Sequence, residues 1–173
     1  MVKGSLRLLT YVLPLLLVLG STANNAEPVA NPFTILLEHA KNGNADAMFE
    51  VGKYYEAGDY TEQNWKEAIY WYEKAIENNH PRAMLYLGRI LLGGINILKA
   101  DIPRALTLIE QAANAGDAES QFQLGILFEN GEAVEQDLPS AIRWYQAAAQ
   151  QKYPDAKAAM KRSIEAFKNR ATN

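Results

Sequence analysis

Lys53 and Arg89 are the two side chains whose type and spacing most suggest a task. They lie 36 residues apart, and each directly follows a glycine, Gly52 and Gly88. Two cations at equivalent positions of neighbouring structural units repel each other without an anion between them. The pair therefore reads as a grip for a carboxylate, with two independently solvated side chains as the alternative. Catalytic constellations are missing from the sequence. It contains no HExxH, no GxSxG and no phosphate-binding glycine loop. The two histidines, His39 and His80, fall in different segments without ligand neighbours, and the many carboxylates sit on polar helix faces. The absence of Cys excludes disulfide frameworks, thiolate metal sites and Cys nucleophiles. The sequence points away from an enzyme and requires no metal or cofactor.

Gly52 and Gly88 belong to a repeat. Gly125 falls on Gly88 and then on Gly52, steps of 37 and 36 residues, and Gly131 falls on Gly94 and Gly58. Ala141 falls on Ala105 and Ala68, and Ala148 on Ala112 and Ala75. Self-similarity at this period signals a solenoid of stacked helix pairs. In the first pair, Ala47, Met48, Val51, Gly52 and Tyr55 form the apolar stripe of a helix from about Ala45 to Ala57. A glycine inside a helix costs about 1 kcal/mol relative to Ala. Its recurrence in three units implies close approach of the partner helix, and Gly58 is expected as a left-handed C-cap. The second helices start at Asn64, Asp101 and Asp137, residues that cap helix starts, and Glu67 suggests a capping box in the first unit. The second unit has one extra loop residue. Its loop, Ile95-Asn96-Ile97-Leu98, is apolar and is expected to tuck under the neighbouring repeat, with a binding lip as the alternative.

The units span residues 44–79, 80–116 and 117–151. Residues 33–43 resemble the second half of a unit and are expected to cap the stack. Residues 152–173 form a basic C-terminal capping helix, expected from Pro154 to about Asn169, with Lys161 in the glycine column. The expected fold class is all-α: a right-handed α/α-solenoid of three helix pairs, with a half-repeat helix before it and a capping helix after it.

Residues 33–160 resemble the Sel1-like repeat family, whose units read A-x-x-x-L-G-x-x-Y-x-x-G, a loop, then D-x-x-x-A-x-x-W-Y-x-x-A-A-x-x-G. The matching residues are Ala47, Val51-Gly52, Tyr55, Gly58, Asn64, Ala68, Trp71-Tyr72 and Ala75 in the first unit. Ala83, Leu87-Gly88, Gly94, Asp101, Ala105, Ala112-Ala113 and Gly116 match in the second. In the third they are Leu124-Gly125, Gly131, Asp137, Ala141, Trp144-Tyr145 and Ala148-Ala149. The departures are Asn64 for Asp, Ser120 for the first Ala, and no Trp-Tyr in the second unit. The resemblance implies a scaffold or adaptor for protein complexes, similar to tetratricopeptide repeats, with the first helices lining a concave face. One exported, Cys-rich branch of the family is associated with β-lactam binding, and this chain departs from it by having no Cys.

On that face, equivalent positions stack into columns: Asp46, Arg82 and Glu119; Phe49, Leu85 and Phe122; Lys53, Arg89 and Ile126; Glu56, Leu92 and Glu129. They describe a groove with an apolar floor and mixed charge, suited to a peptide. Phe49, Leu85 and Phe122 can equally be core residues between repeats.

Residues 1–23 read as a secretory signal peptide cleaved after Ala23. Lys3 and Arg7 precede an apolar run from Leu8 to Leu19, and Ser21-Thr22-Ala23 provides small residues for cleavage. The run is shorter than the ~20 residues that span a bilayer, and it contains Pro14. A polar linker, residues 24–32, follows. The expectation is a periplasmic or secreted protein without membrane insertion. Loss of Lys3 and Arg7 moves the formal net charge from −3 to −5. An acidic body argues against nucleic acid as a partner. A protein or peptide partner is expected, the exposed ends of the stack leave a homodimer open, and a cell-wall or β-lactam-related hydrolase or small-molecule binder is the alternative function.

Overall fold

The computed structural model describes residues 31–95 and 99–171. Among them are eight helices: α1 (Pro32–Lys41), α2 (Ala45–Ala57), α3 (Trp65–Glu77), α4 (Pro81–Gly93), α5 (Ile102–Asn114), α6 (Ala118–Asn130), α7 (Leu138–Gln150) and α8 (Ala156–Ala171). The helices pack mainly on their chain neighbours, as in an α/α-solenoid. The pairs α2–α3, α4–α5 and α6–α7 form the three repeats. The signal peptide and residues 24–30 of the linker lie outside the described residues, as do Asn96, Ile97 and Leu98 of the apolar loop. Ile95 is half-buried and packs on the core.

The recurrent glycine explains how closely each pair packs. A Cβ on Gly52 would stand 2.6 Å from Tyr72 Cε1, and one on Gly125 would stand 2.6 Å from Tyr145 Cε1. In the second repeat Ile109 takes the place of the ring, 2.7 Å from a Cβ on Gly88. The vacated space is filled chiefly by these side chains, with the backbone close behind: Ala68 O and Ala105 O lie at 3.3 and 3.2 Å. Tyr72 and Tyr145 are fully buried.

Chain reversals repeat as faithfully as helices. After α1, α3, α5 and α7, the residues Gly43, Asn79, Gly116 and Lys152 adopt left-handed backbone, with φ of 93°, 57°, 93° and 61°. The next residue donates its N–H to the carbonyl five positions back, as in Asn44 to His39 at 3.2 Å and Tyr153 to Ala148 at 3.0 Å. This is the Schellman closure of a helix end. Gly58 and Gly131 are the left-handed C-caps of α2 and α6, whereas Gly94 has φ 64° and ψ 163° and turns the chain differently.

Asn64, Asp101 and Asp137 cap α3, α5 and α7. The expected capping box at Asn64 and Glu67 is half formed. Asn64 Oδ1 accepts from Glu67 N, but the Asn64 N–H goes to Tyr55 O at 2.8 Å. Asp101 and Asp137 do the same to Leu91 O and Phe128 O, so this N–H closes the loop in every repeat. Two expected boundaries move. Asn31 caps α1 from the end of the linker, so Pro32 is its first residue. The last helix begins at Ala156 because Asp155 is left-handed, with φ 62°, and leaves Pro154 in a turn.

Candidate protein-binding face

The first helices of successive repeats lie beside one another. Phe49 of α2 meets Tyr86 of α4 edge-on at 5.0 Å, and Arg82 of α4 pairs with Glu119 of α6 at 3.1 Å. These contacts bring α2 beside α4 and α4 beside α6, and the twelve residues expected on this face divide by role.

Phe49 and Leu85 are core residues, 2% and 0% exposed. Phe49 stacks on His80 at 4.7 Å and contacts Tyr72 at 6.0 Å. Its outer side is roofed by the Lys53 ammonium at 5.4 Å and the Arg82 guanidinium at 5.5 Å, so the expected apolar floor is covered there. Phe122 is half-buried between Tyr145 and Tyr153, at 5.4 and 5.1 Å. Ile126 is half-buried beside it on the same core, and Leu92 is half-buried between two core clusters.

Charged positions divide as well. Lys53 pairs with Glu50 on its own helix at 2.9 Å. Arg89 is exposed and lies over the Tyr86 ring at 5.6 Å. The structure thus separates the two cations: Lys53 already has an anion, and Arg89 has an aromatic ring. Asp46 is exposed, and its Oδ1 lies 3.2 Å from His80 Nε2, while His80 Nδ1 accepts the Ala83 N–H to cap α4.

Glu56 and Glu129 face inward to a different task. Glu56 accepts the Tyr72 hydroxyl, and Glu129 accepts the Tyr145 hydroxyl at 2.6 Å and the Ser163 hydroxyl at 2.7 Å. Each ties its first helix to its second, and Glu129 also holds α8. Burial, then the neighbouring Glu, pushes both phenols above their ordinary range. Tyr153 is raised by burial and by Glu119 and Asp117, against the opposing effect of Arg82 and Arg89.

Three aromatic side chains were not among the expected face residues: Tyr86, Tyr153 and Trp65, the last half-buried against the core at the start of α3. The column two before the glycine reads Glu50, Tyr86, Gln123, and its mixed chemistry hides Tyr86. Tyr153 and Trp65 sit beside turns, off the helical stripe. Among the described residues, no three His, Asp or Glu side chains converge as a metal site requires, and no helix is long and apolar enough to cross a membrane.

A sequence profile described as Sel1 repeat matches residues 45–80, 81–117 and 118–153. The solved Sel1 repeat protein from Oxalobacter formigenes shares 35% identity with a TM-score of 0.65, covering 74% of this chain and 96% of that one. Chitin synthase regulatory factor 3 of Schizosaccharomyces pombe is 35% identical over 129 residues, 72% of this chain and 14% of that protein. HRD3B of Arabidopsis thaliana, an ERAD-associated E3 ubiquitin-protein ligase component, is 31% identical over 110 residues, 63% of this chain and 17% of that protein. The chain thus spans less than a fifth of the length of these two relatives.

Proposed function

Because this chain belongs to the Sel1 repeat family, we propose that it is an exported interaction scaffold that binds a peptide or protein segment along the face of α2, α4 and α6. It acts by holding partners rather than by chemistry. The observation that carries this reading is the set of cations held over rings: Lys53 and Arg82 over Phe49, and Arg89 over Tyr86. Such cations are ordered before a partner arrives, which lowers the entropy cost of binding. Phe122, Ile126 and Tyr153 add half-buried apolar surface beside them. Two relatives are a chitin synthase regulatory factor and a ubiquitin-protein ligase component, which supports a role exerted through other proteins.

The test is affinity capture from envelope extract with residues 24–173, beside an Arg89→Glu/Ile126→Asp variant and a Lys74→Glu control on α3. The expected result is a protein held by wild type and control and lost by the face variant. Equal capture by all three would place binding elsewhere. Export is tested separately by expressing the full chain in a Gram-negative host. The expected product is periplasmic or secreted and begins at Asn24, whereas an intact Met1 in the cytoplasm would remove the export reading.

A further inference from the structure

Glu56, Trp65, Tyr86, Arg89, Ile90 and Ile95 line a cleft of about 230 Å³ between the first and second repeats. This is smaller than the ~300–1,000 Å³ of drug-sized ligand pockets and suits a single residue. Three walls, Trp65, Ile90 and Ile95, are apolar. Two lining groups are charged, and they do not pair with each other. Arg89 has no carboxylate partner among the described residues, whereas Lys53 has Glu50 and Arg82 has Glu119. Glu56 uses Oε2 for the Tyr72 hydroxyl, and Oε1 is left to accept.

We propose that this cleft binds the C-terminal residue of a peptide, with its carboxylate on Arg89, its amide N–H toward Glu56 Oε1, and an apolar side chain against Trp65 and Ile95. The assignment rests on the scaffold reading and names one subsite of it. The Arg89 guanidinium, 5.6 Å from the Tyr86 ring centroid, carries its N–H donors as a planar fork, which matches a carboxylate bidentately. A C-terminal residue carries an anion, a donor and an apolar group within one residue, and the cleft offers a cation, an acceptor and apolar walls within one residue's volume. An Asp or Glu side chain supplies the anion alone and leaves the apolar walls unused. Glu56 also disfavours a second negative charge, which selects a lone terminal carboxylate over an acidic run.

The probe is N-acetyl-L-leucine, which has all three groups, titrated into residues 24–173 while the Trp65 indole N–H is followed by NMR. That signal is identified by its loss in Trp65→Phe. A ligand of this size binds in the millimolar range. The expected result is a saturable shift of Trp65 that is at least tenfold weaker with N-acetyl-L-leucinamide, at least tenfold weaker in Arg89→Gln, and unchanged in Lys74→Gln. N-acetyl-L-isoglutamine, whose only carboxylate is on the side chain, is expected to bind at least tenfold more weakly than N-acetyl-L-leucine. Equal shifts with acid and amide, undiminished binding by Arg89→Gln, or no shift at tens of millimolar would overturn the proposal. Equal binding of the isoglutamine derivative would overturn the terminal-residue assignment. Partner capture that persists alongside any of these outcomes leaves the scaffold reading standing and removes only this subsite.

Discussion

At the scale of the residue, two positions decide how tightly a repeat closes: the glycine of the first helix and the Tyr72, Ile109 or Tyr145 side chain laid against it. Gly125→Ala brings a methyl within 2.6 Å of a Tyr145 ring whose hydroxyl is fixed by Glu129. The overpacking cost of about 1–3 kcal/mol outweighs the helix-propensity gain of about 1 kcal/mol. Urea unfolding should show a net loss. Gly93→Ala is the internal contrast, because its Cβ meets nothing within 4 Å and it should gain up to about 1 kcal/mol. Tyr145→Phe should lose about 1–2 kcal/mol at neutral pH, since Glu129 loses a donor. The raised phenols also set an alkaline limit. Above pH ~10 the unfolded chain releases protons that the native chain keeps, so stability is full below that pH and falls as pH rises past it. Tyr145→Phe should flatten the fall in chemical unfolding measured across that range.

At the scale of the element, the repeat was legible because helix stripes, caps and glycines recur in fixed columns, and each of these is a local property of the chain. The capping roles of Asn64, Asp101 and Asp137 follow from residue type alone. The burial of Phe49 does not. It depends on Lys53 from the same helix and on Arg82 from the next repeat closing over one ring, a meeting that no single window contains. The ion pair of Lys53 with Glu50 was within reach, because a three-residue spacing on a helix brings such groups together. The left-handed turns were half legible. Gly43 and Gly116 announce them, and Asn79 and Lys152 conceal the same geometry. Lys152→Gly should therefore raise stability by about 0.5–1 kcal/mol, read as a higher urea midpoint with unchanged slope. Asn79→Gly should gain less, since Asn tolerates this backbone better.

At the scale of the whole molecule, successive repeats join through α3 against α4 and α5 against α6, and surface ion pairs add to these seams. Arg82 with Glu119 and Arg104 with Glu73 each bridge successive repeats, at 3.1 and 2.9 Å. A double-mutant cycle on Arg82 and Glu119 should give a coupling of about 0.2–1 kcal/mol that shrinks in high salt. The period that lines equivalent positions up in columns was legible. What each position does was not, because the pairing of Arg82 with Glu119 depends on which repeats stand side by side.

The basic α8 has a consequence for how such a chain can lengthen. Lys161 stands where the repeats carry glycine, and Lys157 precedes it by one turn. A helix pair duplicated after α8 would meet ammonium groups where it needs a close seam. A 36-residue unit copied between α5 and α6 would instead find glycine columns and Schellman turns already matched on both sides. Growth by internal duplication, with α1 and α8 retained, is the route this architecture leaves open.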